Sequence, residues 1–503
     1  MRNLPDGWIG TTLGELSIWG SGGTPSRSNS SYFGGDIPWV TISDLDDSIV
    51  SNTVTNITQE GLANSATKLA PRGSILIALY GSIGKLGIAG VPLTTNQAIA
   101  YSFPNETAFD GKYLFHYLRS ERRNLLALGS GVTQKNIYLG DLKTYTFPLP
   151  PRAEQTRIVE KLEELLTGLD AGVAELKAAQ KKLSQYRQSL LKAAVEGALT
   201  AEWRANNPPT ETGPQLLERI LEERRARWEA KQLAKFKEQG KALPKDWQKK
   251  YPELVQPDTT DLPELPQGWV WASVEQLSEL MSGNTPKDAE AHASSNGVIP
   301  WFKVGDMNRE GNEIWLSKSQ INFTRHDALS IGMKLAPPGT IVFPKRGGAI
   351  ATNKKRRLKS LACFDLNTMG LVPVDSSAEW LWWWFQGIDL GRLSDGSNIP
   401  QINNPDIAPL VIPVPPIAEQ EMIIRQLKMS LDTVQAQEAA IDVSLKQSTA
   451  QRQNILKAAF SGQLVPQDPS DEPASELLAR IRAERAAQQA IKKPRGRKAK
   501  EAA

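Results

Sequence analysis

Apolar positions along the chain come in two textures. In residues 1–150 they form short runs between glycines, prolines and hydroxyl residues. "GSILIALYGSIG" (Gly73–Gly84) and, much later, "GTIVFPKRGG" (Gly339–Gly348) read as strands closed by glycine turns. "KYLFHYLRSERRNLLAL" (Lys112–Leu128) has the spacing of an amphipathic helix. This part predicts a mixed α/β globule. The texture changes after the proline pair at Pro150–Pro151. From Ala153 to Gly197 there is no proline, and Leu162, Leu165, Leu169, Gly172, Leu176, Ala179, Leu183, Tyr186, Leu190, Ala193 and Gly197 follow a 3-4 spacing. That is a heptad seam, with small residues that let a partner helix come close.

The whole pattern is then written again. "LPDGW" (Leu4–Trp8) returns as "LPQGW" (Leu265–Trp269), and "SGGTP" (Ser21–Pro25) as "SGNTP" (Ser282–Pro286). "PLPPRAEQ" (Pro148–Gln155) returns as "PVPPIAEQ" (Pro413–Gln420), and "QSLLKAAVEGALT" (Gln188–Thr200) as "QNILKAAFSGQLV" (Gln453–Val465). Even "LLERILEER" (Leu216–Arg224) has a counterpart in "LLARIRAER" (Leu477–Arg485). So many ordered matches at nearly constant separation make the chain two copies of one unit. The second seam carries Leu427, Val434, Ile441 and Ile455, with polar Ser430, Ser444, Ser448 and Gln451 between.

Two similar long helices, each following a similar globule, can pair antiparallel within one chain. At about 1.5 Å per residue, forty-odd helical residues reach roughly 60–70 Å. The predicted fold class is α/β: two similar mixed α/β domains separated by two long antiparallel helices, related by an internal pseudo-twofold. The competing arrangement, in which each helix finds its partner in another subunit, leaves the presence of both copies in one chain unexplained.

Composition narrows the class. At 503 residues with 40% hydrophobic and 23% charged residues, the chain has the make-up of a soluble protein of two or more domains. No apolar run approaches the roughly 18–20 residues that cross a bilayer, and "MRNLPDGW" lacks the core of a signal peptide. A single cysteine, Cys363, excludes an internal disulfide and a cysteine-based zinc site. A cytoplasmic location is therefore expected. The net charge of +4 confines any nucleic-acid surface to a local patch.

The twice-written order of globule, PLPP-x-AEQ-x-x-I, and long helix ending LLKAA-x-x-G-x-L resembles the specificity subunit of type I DNA restriction–modification systems. The resemblance covers nearly the whole chain. It implies a non-catalytic subunit that binds double-stranded DNA, each globule being a target-recognition domain for one half of a split sequence. It also implies helices that set the spacing and dock two methyltransferase (modification) subunits, and a larger complex that adds two motor–nuclease (restriction) subunits. No cofactor and no membrane contact are implied. The expected boundaries are target-recognition domain 1 at 1–150, spacer helix 1 at 151–200, a charged helical linker at 201–262, target-recognition domain 2 at 263–415, spacer helix 2 at 416–465 and a charged helical tail at 466–503. The linker and the basic ending "IKKPRGRKAKEAA" depart from the shortest layout of the family and are expected to be peripheral.

The residues hold no chemistry of their own that competes with this reading. "NPPT" (Asn207–Thr210) resembles an adenine-methyltransferase motif, but threonine stands where an aromatic must stack on a flipped base. "GSIGKLG" (Gly81–Gly87) fails as a phosphate loop, because Leu79 replaces the first glycine and no Ser or Thr follows Lys85. The three histidines, His116, His292 and His326, have no metal-ligand spacing.

Candidate DNA contacts cluster in three places. The run "PKRGGAIATNKKRRLK" (Pro344–Lys359) flanks a glycine turn with seven cations, Lys345, Arg346, Lys354, Lys355, Arg356, Arg357 and Lys359, which suits phosphate neutralisation; the alternative is a solvated loop. The aligned segment of the first copy, "LYGSIGKLGIAG", has only Lys85. In the second place, Gln134, Lys135 and Asn136 are aligned with Gln401, Ile402 and Asn403. Their amides can form bidentate contacts to adenine edges or, alternatively, cap local backbone. The third is "TPSR", with Arg27, against "TPKD". "EWLWWWF" (Glu379–Phe385) reads as a buried helix face before it reads as a stacking surface.

Overall fold

The computed structural model describes residues 4–105, 109–129, 136–240, 242–374 and 377–492. They form two compact units. One joins Met1–Ala178 to Ile441–Ala503, and the other is Ala179–Ala440.

Each unit is built on a five-stranded mixed sheet. In the first, the strand order is Trp19–Ser21, Ile99–Ser102, Ile75–Ala78, Leu86–Ala89, Ser48–Val50; the second repeats it with Ser278–Ser282, Thr368–Pro373, Ile341–Pro344, Arg356–Leu358, Trp315–Leu316. The central strands ILIA and IVFP are buried at every position, as a strand covered on both faces must be. A three-stranded sheet packs beside each, and an antiparallel ribbon ties the start of each globule to its end. In the ribbons Ile9 pairs with Leu149, and Val270 with Val414. The helix Ala378–Gln386 buries Trp380, Trp382, Trp384 and Phe385, and Trp380 Nε1 donates to the Pro413 carbonyl at 2.6 Å. Its aromatics are core, each contributing about 1.5–3 kcal/mol by burial.

The long helices run Arg152–Val195 and Ile417–Phe460, 44 residues each. In the first unit Ile158, Leu162 and Leu166 share a core with Leu456 and Ala459, and Asp170 pairs with Arg452. In the second, Leu190 and Ala194 share a core with Ile423, Leu427 and Leu431. The start of each helix thus lies beside the end of the other, the antiparallel pairing that the seam predicts. Tyr186 departs from the seam, being 51% exposed.

The repeated motifs now have physical reasons. Gly197 and Gly462, at φ +70° and +72°, end the long helices in the left-handed conformation. The following amides, of Ala198 and Gln463, close back onto the carbonyls of Ala193 and Ala458 at 3.0 and 2.8 Å, satisfying end carbonyls that lack helical partners. In "AEQ", the glutamine amide donates to the carbonyl of the first proline of the pair, Gln155 to Pro150 at 3.0 Å and Gln420 to Pro415 at 2.8 Å. The glutamate accepts the indole N–H of the "GW" tryptophan, Trp8 to Glu154 at 3.0 Å and Trp269 to Glu419 at 2.8 Å. Two motifs about 150 residues apart are therefore one buried contact.

The charged segments after the long helices are not peripheral where they begin. The helix Gly213–Glu238 buries Leu216 and Ile220 in the second globule, and the Gly213 amide donates to the Gly268 carbonyl at 2.7 Å. The C-terminal helix Ala474–Lys492 buries Ala474, Leu477, Leu478 and Ile481 in the first globule, and the Ala474 amide donates to the Gly7 carbonyl at 2.9 Å. Each globule is clasped by a helix from the other repeat. Residues 493–503, which carry most of the basic ending, lie outside the described part. Among the described residues no helix is long and apolar enough to cross a membrane, and no cluster of acidic, histidine or cysteine side chains is placed to hold a metal ion.

Candidate nucleic-acid interface

At one end of each central strand the backbone continues past the sheet and meets a second segment. In the first globule the Leu79 amide donates to the Ala98 carbonyl at 2.7 Å, the Ile137 amide to the Leu79 carbonyl at 2.9 Å, and Tyr80 bridges to Asn136. In the second, the Lys345 amide donates to the Asn367 carbonyl at 2.8 Å, the Ile402 amide to the Lys345 carbonyl at 2.9 Å, and Arg346 bridges to Gln401. The two crosspieces are the same hydrogen-bond pattern, and they bring two of the sequence candidates together. A short helix follows each, with the Tyr138 amide donating to Asp141 Oδ2 at 3.4 Å and the Asn403 amide to Asp406 Oδ2 at 2.7 Å.

This pattern corrects the alignment read from sequence by two positions. Asn136, not Gln134, stands opposite Gln401, and Asn403 matches Tyr138. Runs of amide residues on both sides allow either register by residue type; only the backbone pairing selects one. Gln134 and Lys135 lie outside the described residues. The Gln401 amide donates to Asp395 Oδ1 at 3.1 Å and its carbonyl accepts from the Asp395 amide at 3.2 Å, so its backbone is committed while its side chain makes none of these bonds. Asn403 is exposed and begins the helix Asn404–Ile407.

The basic run divides into two groups. Arg346 is exposed; Lys345 is half-buried, its Nζ 3.3 Å from Ser282 Oγ; and Lys354 reaches Asn308. The other three turn inward, against the expectation that the run is a continuous phosphate-facing loop. Lys355 is buried over the Phe385 ring at 5.4 Å, with Nζ donating to Asn353 Oδ1 at 2.9 Å and to the Ile388 carbonyl. Burial pushes its ammonium down to about 8. Arg357 is buried between Trp315, at 4.4 Å, and Trp382, at 5.4 Å, and pairs with Glu379. Arg356 donates to the Lys355 and Met307 carbonyls at 2.8 and 3.0 Å, and burial holds its guanidinium below the ordinary range. These three side chains are engaged in holding the loop, which leaves Lys345, Arg346, Lys354 and the exposed Lys359 outside the inward group.

The first globule offers a different surface at the same place. Lys85 is half-exposed and Arg27 exposed. Tyr80, which the sequence reading passed over, stands where Arg346 stands in the second copy; its hydroxyl bonds Gln97, and burial raises its pKa. Gln97 also receives the Thr24 hydroxyl, from the "GGTP" loop. In the second copy Thr285 Oγ1 accepts the Leu366 amide at 3.2 Å. The alignment of the two glycine turns already placed Tyr80 opposite a cation; charge alone drew attention to Lys85.

The family model for the type I restriction modification DNA specificity domain matches residues 5–178 and 266–446. The chain belongs to that family. The specificity subunit of the type I restriction enzyme EcoDI from Escherichia coli is 23% identical, with 96% of each chain covered. That of EcoKI from Escherichia coli strain K12 is also 23% identical, over 96% of this chain and 97% of its own. Among solved structures, one reported for complex assembly and conformational transition of the type I restriction–modification system matches with a TM-score of 0.66 at 19% identity, covering 92% of this chain and all of that one. The segments matched by the family model stop short of the helix Gly213–Glu238 and the C-terminal helix.

Proposed function

We propose that this specificity subunit reads a bipartite double-stranded DNA target, one half per globule, with the crosspiece at the end of each central strand as the reading element. The observation that carries this is the contrast at an invariant backbone frame: Tyr80 and Asn136 in one copy, Arg346 and Gln401 in the other. Arginine pairs with guanine edges and amides with adenine edges in the major groove. Arg27, Lys85, Lys345 and Lys354 serve as phosphate contacts that fix register and carry no sequence information. The chain recognises and does not catalyse. Two methyltransferase subunits dock on the paired helices, two motor–nuclease subunits complete the complex, and the assembly works in the cytoplasm. The helices set the gap between half-sites, which on one face of the duplex lie about 34 Å apart.

Mapping methylated adenines made by the methyltransferase assembled with Arg346→Gln tests the reading element. The expected result is a change of preferred base in one half only. An unaltered target sequence removes Arg346 from the reading element, and a change in both halves breaks the assignment of one half to each globule.

A further inference from the structure

Each central strand is flanked at its crosspiece end by a turn that leaves the three-stranded sheet, after Thr94–Thr95 in one copy and Cys363–Phe364 in the other. The backbone bonds of this turn also repeat. In the first globule the Asn96 amide donates to the Val40 carbonyl at 2.9 Å, the Gly23 amide to Thr95 at 2.9 Å and the Leu79 amide to Ala98 at 2.7 Å. In the second, the Asp365 amide donates to the Phe302 carbonyl at 3.0 Å, the Asn284 amide to Phe364 at 3.1 Å and the Lys345 amide to Asn367 at 2.8 Å. Gln97 and Leu366 therefore occupy one position beside the crosspiece.

That position is filled by opposite chemistry. The Gln97 side chain accepts the Thr24 hydroxyl and bonds the Tyr80 hydroxyl. Leu366 can do neither, and Thr285 Oγ1 instead accepts the Leu366 amide at 3.2 Å. Asp365 closes the turn from within, Oδ2 accepting from Asn367 Nδ2 at 3.0 Å and Oδ1 from Thr368 Oγ1 at 3.1 Å. Leu366 is thus presented on a fixed turn, 40% exposed, at the rim of a hollow of about 490 Å³. Lys303 in that hollow is paired with Glu290, and Asp288 lies exposed beside them. Such a lining does not draw a phosphate. A single exposed leucine needs no explanation in general. This one replaces an amide in a frame whose neighbouring position holds Arg346.

We propose that Leu366 is a specificity-determining residue that packs on the C5 methyl of a thymine in the base pair next to the one read by Arg346. This rests on the crosspiece being the reading element. The thymine methyl is the apolar feature of base edges in the major groove, as the guanine acceptors are the natural partner of arginine. The first globule, with Gln97 at the same place, makes no such contact.

The test is binding of the assembled methyltransferase to its mapped target, with each thymine of the half altered by Arg346→Gln replaced in turn by deoxyuridine, which lacks only the methyl. At one thymine beside the base that Arg346→Gln alters, the replacement is expected to weaken wild-type binding about fourfold, the effect of one methyl group withdrawn from water. Leu366→Gln, which installs the first copy's residue on an exposed turn, should bind the thymine and deoxyuridine duplexes equally and lose the preference for thymine there. Leu366→Met should keep both. A half-site with no thymine beside that base overturns the inference. So does a thymine whose replacement is not felt, or a Leu366→Gln variant as sensitive to the methyl as the wild type. Each of these results leaves the reading element standing, whereas a target unaltered by Arg346→Gln removes the reading element and this inference with it.

Discussion

Between Tyr80 and the next strand of the first globule lie five residues, Gly81–Lys85; between Arg346 and its next strand lie nine, Gly347–Lys355. On the crosspiece side of this difference the backbone hydrogen bonds match, Leu79 and Ile137 in one copy and Lys345 and Ile402 in the other. The short turn takes left-handed glycines at 81 and 84 and adds one cation. The longer one takes Gly347, a short 3-10 helix and left-handed Asn353, and must then anchor itself with Lys355 and Arg357 in the core beneath. A recognition module needs a frame that does not move while its side chains change. Here the frame is built from amide-to-carbonyl bonds, which tolerate substitution at the side chains they carry. The longer loop needs buried cations to hold it, and that makes part of its charge unavailable to DNA.

The strongest way to break this comparison is to exchange a whole globule. Replacing residues 1–150 with the matching part of another family member should replace one half of the target and leave the other half and the gap intact. The switch in preference should be on the scale that separates specific from non-specific sites, about 10³-fold or more. Inserting seven residues after Lys181 should do the reverse, changing the tolerated gap and neither half. Methylation mapping reads both. A globule exchange that shifts the gap, or an insertion that changes the bases, sinks the division between readers and spacer.

The next test sets the two buried glutamates against each other. Glu419 accepts from Trp269, Thr200 and Arg204, the last a pair at 2.8 Å with the carboxylate almost fully buried. Glu154 accepts the Trp8 indole, and burial holds its carboxyl above the ordinary range. Glu419→Gln strands the Arg204 charge and should cost about 3 kcal/mol, the low end for a broken buried pair because Arg204 keeps some water. Glu154→Gln should cost under about 1 kcal/mol, since a neutral group already suits that site. Denaturant unfolding of the two variants measures this, and equal costs would erase the distinction between the units.

The cations of the basic run separate by salt dependence. Lys354→Ala should lower the slope of log affinity against log salt by roughly 0.9, whereas Arg357→Ala should leave the slope alone and destabilise the second globule. The reverse pattern of slopes would return the inward side chains to the DNA.

The smallest effect is a pH effect. The Lys355 ammonium titrates near 8 in the fold, against an ordinary value of 10.5, so between these values the unfolded chain binds more protons than the folded one. Stability should therefore rise with pH across that window, by at most about 1.4 kcal/mol per pH unit, and be fully penalised below it. Lys355→Met should lack this rise. A variant whose midpoint follows the wild type from pH 8 to 10 removes Lys355 as its source.

Much of this architecture was legible in sequence because it is written in periodicity: the two copies, the paired helices and the glycine-bounded strands all follow from spacing. What was not legible depends on partners distant in the chain. "KKRR" reads as exposed charge, and nothing nearby announces that Trp315, Trp382 and Phe385 will cover two of its members. The register of Asn136 against Gln401 is a backbone fact that residue type cannot supply. The docking of Leu216 and Leu477 was hidden because both sit at the start of strongly charged helices.

The division of the chain has a consequence for how it is made. The second unit is one uninterrupted stretch, Ala179–Ala440, but the first needs its own beginning and the final sixty-odd residues together. Tyr113 and Tyr117 await Phe460, and the floor beneath Trp8 awaits Leu477 and Leu478. At synthesis rates of about 5–20 residues per second, the 262 residues of the second unit take roughly 13–52 s to emerge. Throughout that interval the globule that leaves the ribosome first stands with an open apolar flank. The copy translated second is the one able to finish folding first, so messages truncated before Ala474 leave the older copy unclosed.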